Sequence, residues 1–286
     1  VPVIARLCAA AMRAARHQVL IFHRVLAEKD PLLPSEPDAR WFAQLVGMLT
    51  RHFEVIGLDE AAARVAEGRL SGRSLSITFD DGYADNYEVA LPILERAGAP
   101  ATFFVATGFL DGGTMWNDRI IETVRRLSPG RYAQPLDGDR EAMLEIDDLE
   151  SRRQAIGRLI NAWKHLPQPE RQARVDAFAA LAGDLPDDLM LSTAQLRAMD
   201  RSDYARVGAH TVSHPILAVL PAAQAAEEIG AGKRTLEDKL QREVDWFAYP
   251  NGKPGRDYRA EHVEQVRQAG FAAAVSTNWG TLDRDS

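Results

Sequence analysis

Cysteine is almost absent from this 286-residue chain, with Cys8 standing alone. No disulfide can form within the chain, so cysteine usage lends no support to an oxidising compartment. Any run of about 18 apolar residues is missing as well, which argues against a membrane-spanning helix. Positive charge is in deficit: 34 Lys and Arg against 41 Asp and Glu leave a net charge of −7. That is the wrong sign for a nucleic-acid partner, whose binders carry a basic face. It leaves a neutral or polymeric sugar open. No internal repeat or low-complexity segment stands out.

What is present is ordinary for a folded protein: 46% hydrophobic and 26% charged residues. The length suits one large barrel or two small domains and suffices to bury a sizeable core. Residues 1–16 mix Ala and Leu with Arg6, Arg13 and Arg16. Their apolar part is short and broken by arginine, so they read as an amphipathic helix and not as a secretion signal. The compartment is left open, with a leaning toward the cytoplasm. The chain starts at Val1 and not Met, and stops at Ser286 just after an expected strand. Both ends are therefore expected to be cut short, and oligomeric state is not readable.

Short apolar, β-branched-rich runs alternate with helical stretches, the pattern of an α/β fold with parallel strands. Strands are expected at 19–23, 53–58, 75–80, 101–107, 205–211, 246–250 and 272–277. Helices are expected at 40–51, 58–67, 87–97, 222–240 and 258–269, the last two with mixed charges on their solvated faces. Seven such strands suggest a closed or nearly closed (β/α) barrel, although an open doubly wound sheet would read similarly. Between 108 and 203 no clear strand is visible. This interval opens with Gly108, Gly112 and Gly113 and holds helical patterns at 141–165 and 170–182. It reads as a helical insertion within the barrel, not a separate domain. Near its end Ser192 and Gln195 fit a capping box, with Leu191 and Leu196 as a hydrophobic staple.

The strongest chemical signal is Ser76-Ile77-Thr78-Phe79-Asp80-Asp81-Gly82-Tyr83. An apolar strand runs straight into two adjacent carboxylates, which are costly to bury unless paired or bound to a metal. Asp-Gly is also a common turn dipeptide, so this segment alone leaves a plain polar turn open. The second signal is His210-Thr211-Val212-Ser213-His214. Imidazoles at i and i+4 lie on one face of a helical turn, and both can reach one divalent ion at about 2.0–2.1 Å. Asp80, Asp81 and His210 all close expected strands, and barrel active sites lie at the C-terminal strand ends. Two histidines and a carboxylate form a reasonable set for zinc or another divalent metal, with positions left for water and substrate. A third strand-end segment, Trp246-Phe247-Ala248-Tyr249-Pro250-Asn251-Gly252, must turn at the rim and could aim a backbone N–H inward. An ordinary Pro-Asn-Gly turn explains it equally well.

Together these segments resemble the polysaccharide deacetylase family (NodB homology, carbohydrate esterase family 4). Its T-F-D-D-G motif is matched in full by Thr78-Phe79-Asp80-Asp81-Gly82, and its H-[ST]-x-x-H motif by His210-Thr211-Val212-Ser213-His214. The resemblance runs from about Val19 to Thr277, and Phe-Ala-Tyr-Pro-x-Gly is similar to exopolysaccharide-associated members. It implies one domain over 1–286: a distorted (β/α)7 barrel with a helical insertion at about 112–200, after the fourth strand. It implies Asp80 as general base and Asp81, His210 and His214 as ligands of a divalent metal, zinc first, which acidifies water toward a pKa of about 7. Asn251, with Pro250 and Tyr249, is placed at the substrate or the oxyanion. The implied partner is an N-acetylated polysaccharide or oligosaccharide, and the implied reaction is removal of N-acetyl groups from its amino sugars. Two departures stand out. Ala248 occupies the place of an arginine expected to orient the base, and no late L-x-H motif supplies a general acid before Ser286. A related amidase or deformylase acting on a small or lipid-linked substrate, and a sugar-binding pseudoenzyme, are the rival readings. His23, ending the first strand, could line the pocket or be a satisfied structural histidine. Trp116 and Tyr83 are candidates for stacking a sugar ring.

Overall fold

The computed structural model describes residues 17–70, 72–133 and 143–279 of the chain, in two units. The expected helix over 1–16 lies outside the described residues. The first unit begins with β1 (Gln18–Phe22), α1 (Ala39–His52), β2 (Glu54–Val55), α2 (Leu58–Ala66) and β3 (Ser74–Phe79). A π-helical turn (Asn86–Ala90) then runs into α3 (Leu91–Ala97), followed by β4 (Ala101–Val105). The second unit, 29–35 with 112–189, holds α4 (Trp116–Arg126), β5 (Gly130–Ala133), β6 (Met143–Ile146), α5 (Leu149–Trp163) and α6 (Gln168–Ala179). The first unit resumes with α7 (Thr193–Met199), β7 (Ala205–Ala209), α8 (Ala222–Leu240), β8 (Trp246–Ala248), α9 (Ala260–Gln268) and β9 (Ala273–Val275).

The sheet of the first unit is parallel throughout and curls into a half-barrel, with the path β1-β3-β4-β7-β8-β9. The two-residue β2 pairs only the start of β3, through Glu54–Ser74 and Val55–Leu75. Along the six-strand path each later strand is added on the same side. A doubly wound sheet would reverse direction partway, so the distorted barrel is the arrangement present. All six residues of β3 and all five of β4 are buried. That is why these strands are continuous apolar runs and not alternating ones. Register aligns Phe22 with Phe79 and Phe79 with Phe103. Their rings stack at 5.5 and 4.9 Å between centroids, with Phe42 of α1 edge-on to Phe22 at 5.3 Å. This aromatic layer lies one residue short of Asp80.

The second unit corrects one expectation. Within the stretch read as strand-free and partly helical, β5 and β6 form an antiparallel hairpin from Gly130–Ile146 to Ala133–Met143. Leu144 and Ile146 are buried while Glu145 between them is exposed, a period of two too short to stand out against the longer helical pattern behind it. The helix expected from 141 starts only at Leu149, where Asp148 caps it by accepting the Ser151 N–H at 2.8 Å. Trp163 and Phe178 meet edge to face at 6.1 Å in this unit's own core.

Elsewhere the helices lie where periodicity places them. Ser192 and Gln195 form the expected capping box of α7, and Leu191 and Leu196 are fully buried. The helix expected over 87–97 opens as a π turn. Such turns recur near functional sites, and this one starts five residues after Asp81.

Candidate metal centre

Parallel strands bring their C-terminal ends to one rim, and four of those ends carry the residues of interest. Asp80 follows β3, His210 follows β7, His23 follows β1, and Ala248 closes β8. Phe22 and Phe79 are register partners, so His23 and Asp80 are neighbours across the β1–β3 edge. The Asp80 N–H is tied to the Phe22 carbonyl at 2.9 Å.

Asp81 turns away from the strand direction in a left-handed conformation (φ 78°) and is followed by Gly82 at φ 86°. A Cβ on Gly82 would stand 2.9 Å from Val105 Cγ1 on the neighbouring strand. This motif glycine therefore serves both the turn and a close approach. The turn sets Asp81 Oδ1 at 3.3 Å from His214 Nε2 and 3.6 Å from His210 Nε2. Oδ1 is buried and has no hydrogen-bond partner among the described residues. An orphaned buried carboxylate oxygen is expensive. Its position between two imidazole nitrogens, with all three donor atoms within 4.8 Å of one another, suits a divalent cation bound by one oxygen and two nitrogens. Asp81, His210 and His214 thus form a group that could hold a metal ion.

The two histidines are not on a helical turn, which corrects the spacing argument. They sit in a loop in which Thr211 (φ 66°) and His214 (φ 53°) are both left-handed. For residues with a Cβ this costs roughly 1–2 kcal/mol each, and for β-branched Thr211 it is a rare conformation. Thr211 Oγ1 accepts the His214 N–H at 3.2 Å. The ring of His210 donates from Nδ1 to the Ala248 carbonyl at 2.8 Å. That bond fixes the tautomer and leaves Nε2 as the lone-pair donor facing Asp81. The position lacking the family's arginine thus contributes through its backbone. Burial, then the nearby His214, pushes the His210 pKa down to about 3, against the pull of Asp81, so the ring is neutral, as a ligand must be.

Asp80 is 7% exposed. Burial raises its pKa to about 7; the adjacent Asp81 adds to the rise, and His23 opposes it. His23 itself is exposed, so the satisfied structural histidine is not what the fold contains. Its backbone carbonyl accepts from Asn86 Nδ2 at 2.9 Å. Asn251 is left-handed (φ 60°) and half-buried, and its carbonyl accepts from Thr277 Oγ1 at 2.7 Å. Its own N–H finds no acceptor among the described residues. Pro250 is buried, and its carbonyl accepts the Gly252 N–H at 2.7 Å.

Three further candidates have protein neighbours on their rings. Tyr249 is 5% exposed and stacks on Tyr258 at 3.8 Å, and burial raises its pKa. Tyr83 is 3% exposed, with the Arg24 guanidinium 4.6 Å over its ring. Neither offers an open face to a sugar. Trp116 belongs to the second unit, where Arg171 covers its ring at 4.9 Å.

Sequence reasoning missed the polar frame around these residues. Asp85 accepts from Arg24 Nε at 2.8 Å and from the Val25 N–H at 3.2 Å, so it anchors the segment that carries His23. Burial raises its pKa against the pull of Arg24. Glu36, half-buried, has its pKa raised by burial and lies in electrostatic reach of His23, Arg24 and Asp85. No pattern marks a lone glutamate in a loop before Pro37, and nothing in the sequence could have singled it out.

A family model described as polysaccharide deacetylase matches residues 67–129 and 153–274. Among curated proteins, YxkH of Bacillus subtilis (strain 168) is 27% identical over 94 residues, which are 32% of this chain and 33% of that protein. Two solved structures share the fold over most of both chains. The deacetylase PplD of Streptococcus pyogenes, in complex with acetate, has a TM-score of 0.61 at 17% identity and covers 94% of this chain and 87% of its own. IcaB from Ammonifex degensii has a TM-score of 0.57 at 22% identity, covering 91% and 83%. With its model matched over more than half its length, the chain belongs to the polysaccharide deacetylase family.

Proposed function

We propose that this chain hydrolyses N-acetyl groups on the amino sugars of a polysaccharide, using a divalent metal, zinc first, held by Asp81, His210 and His214. The observation that carries this reading is the convergence of the Asp81, His210 and His214 donor atoms within 4.8 Å of one another around the orphaned oxygen of Asp81, with the buried carboxylate of Asp80 next to it in the chain. When bound, the metal supplies Lewis acidity toward the scissile carbonyl and acidifies water. Asp80, as general base, takes the proton from the attacking water. Charge building on the carbonyl oxygen calls for a fixed donor, and the unpaired Asn251 N–H is of the right kind. The departing amine needs a proton. His23, exposed and next to Asp80 across the strand pair, is the side chain we assign to that transfer, in place of a late histidine motif.

The test is acetate release from a panel of N-acetylated glucosamine polymers and oligomers, with and without chelator. Chelator-sensitive release supports the reading. No release from any glycan by metal-loaded protein would sink it. A small or lipid-linked amide is the second reading, favoured by the burial of Tyr83 and Tyr249, which leaves neither free to stack a sugar. Small amides in the same panel separate the two.

A further inference from the structure

The loop carrying His210 and His214 is gripped from two sides. On one side the Thr107 N–H donates to the Thr211 carbonyl at 3.2 Å and the Gly108 N–H to the Val212 carbonyl at 2.9 Å. On the other, a single side chain of α8 does the work. Glu228 Oε2 accepts the Val212 N–H at 2.9 Å and the Ser213 N–H at 2.8 Å, while Oε1 accepts the Ser213 hydroxyl at 2.6 Å.

We propose that Glu228 is a positioning residue of the metal centre, its carboxylate clamping the 212–213 backbone so that both imidazoles face Asp81. Two successive N–H groups turned to one side form a concavity that favours an anion, and here the chain supplies its own. The clamp acts where it is needed, because it spans the two residues between left-handed Thr211 and left-handed His214. Without an external hold, that backbone would relax to commoner conformations and carry the rings with it. The post to which the clamp is fixed is rigid in its own right. Ala225, Ile229, Gly232 and Leu236 form the buried stripe of α8, and Glu228 stands beside it. Gly232 lets the helix approach so closely that a Cβ there would meet Thr211 backbone atoms at 2.9 Å. Glu228 is not one of the three residues whose donor atoms converge, so its role is exerted through the loop.

The proposal rests on the metal reading above, and its test separates the two. Zinc affinity is measured by competition with a chromophoric chelator for wild type, Glu228→Gln, Ser213→Ala and Glu227→Gln, alongside melting of each metal-free protein. Glu227 is the exposed neighbour paired with Arg234. Glu228→Gln keeps the shape but loses the second acceptor, and affinity is expected to fall by about 10–100-fold, as for other groups that orient metal ligands. Ser213→Ala spares both amide bonds and should fall less, and Glu227→Gln should match wild type. A merely structural role would lower the metal-free melting temperature of Glu228→Gln and leave its affinity for zinc unchanged, overturning the proposal. Should Glu228→Gln not fold, unchanged affinity in Ser213→Ala overturns it equally. If wild type takes up no zinc, the metal reading falls and the clamp with it; if wild type and Glu228→Gln bind alike, the clamp alone falls.

Discussion

Replacing Gly232 by alanine sets two effects of opposite sign against each other. In the interior of α8 the exchange favours the helix by about 1 kcal/mol, since glycine is the poorer helix former. Against this, the new Cβ would lie 2.9 Å from the carbonyl carbon and oxygen of Thr211 and 3.2 Å from its Cα. Ordinary contact begins at 3.4 Å, so helix and loop must part by about 0.5 Å, and overpacking of this kind costs about 1–3 kcal/mol. The net loss of stability is therefore about 0–2 kcal/mol, or up to about 8 °C in melting temperature for a chain of this size. The metal centre is less forgiving, because ligand distances tolerate only about ±0.2 Å. Zinc affinity should therefore fall by at least about tenfold even though the protein stays folded. Gly230→Ala is the matched control. Its Cβ would meet only the mobile end of Arg234, at 3.0 Å, so it should melt slightly higher and bind zinc as wild type does. Melting curves and chelator competition on the three proteins decide the matter. A Gly232→Ala protein with wild-type zinc affinity would refute the claim that α8 sets the ligand loop.

Three further outcomes are expected. Asp80→Asn should keep zinc and lose turnover by about 10²–10⁴-fold, the usual range for a general base, whereas Asp81→Asn should lose zinc; metal content and acetate release assign the roles, and full activity in both variants would undo them. His17 is fully buried between Ser74 Oγ at 3.0 Å and Ser76 Oγ at 2.9 Å, and burial lowers its pKa from 6.5 to about 4. Between those values the unfolded chain binds the extra proton, so this contribution is complete above about pH 6.5 and lost as pH falls toward 4, roughly 3 kcal/mol in all. Denaturant melts from pH 7 to 4 should show a shallower decline for His17→Gln than for wild type, and parallel declines would contradict the assignment. Ser192→Ala removes the cap of α7 and should cost about 1 kcal/mol in the same melts; no change would mean the box contributes nothing.

Much of this arrangement was legible in the chain. β3 and β4 are buried on both faces, so their apolar runs are unbroken and easily read, and Asp80 and Asp81 stand out because they end such a run. The pairing of His210 with His214 was readable as spacing but not as conformation. The left-handed turns at Thr211 and His214 come from contacts with Gly108, Glu228 and Gly232, which are distant in sequence. Glu228 itself sits on a helix of mixed charge whose polar face reads as solvated, and only the fold shows its carboxylate turned onto the loop. The surroundings of Tyr83 and Tyr249 were not readable for a related reason. An aromatic at a strand end looks the same in sequence whether it faces the cleft or folds back into the core, and Arg24 and Tyr258 decide that here.

The interval between β4 and β7 has a consequence in time. These strands are direct partners, Ala101 with Ala205, yet residues 112–189 of the second unit are made between them. Closing so long a loop adds little to the equilibrium cost, about 0.6 kcal/mol for each doubling of length. It matters more for order of assembly. At synthesis rates of about 5–20 residues per second, His210 emerges roughly 6–25 s after Asp81, and until β7 docks the carboxylate has no imidazoles to face. Aspartates made early must wait for histidines made late, so the three donor atoms cannot converge until most of the chain has been made.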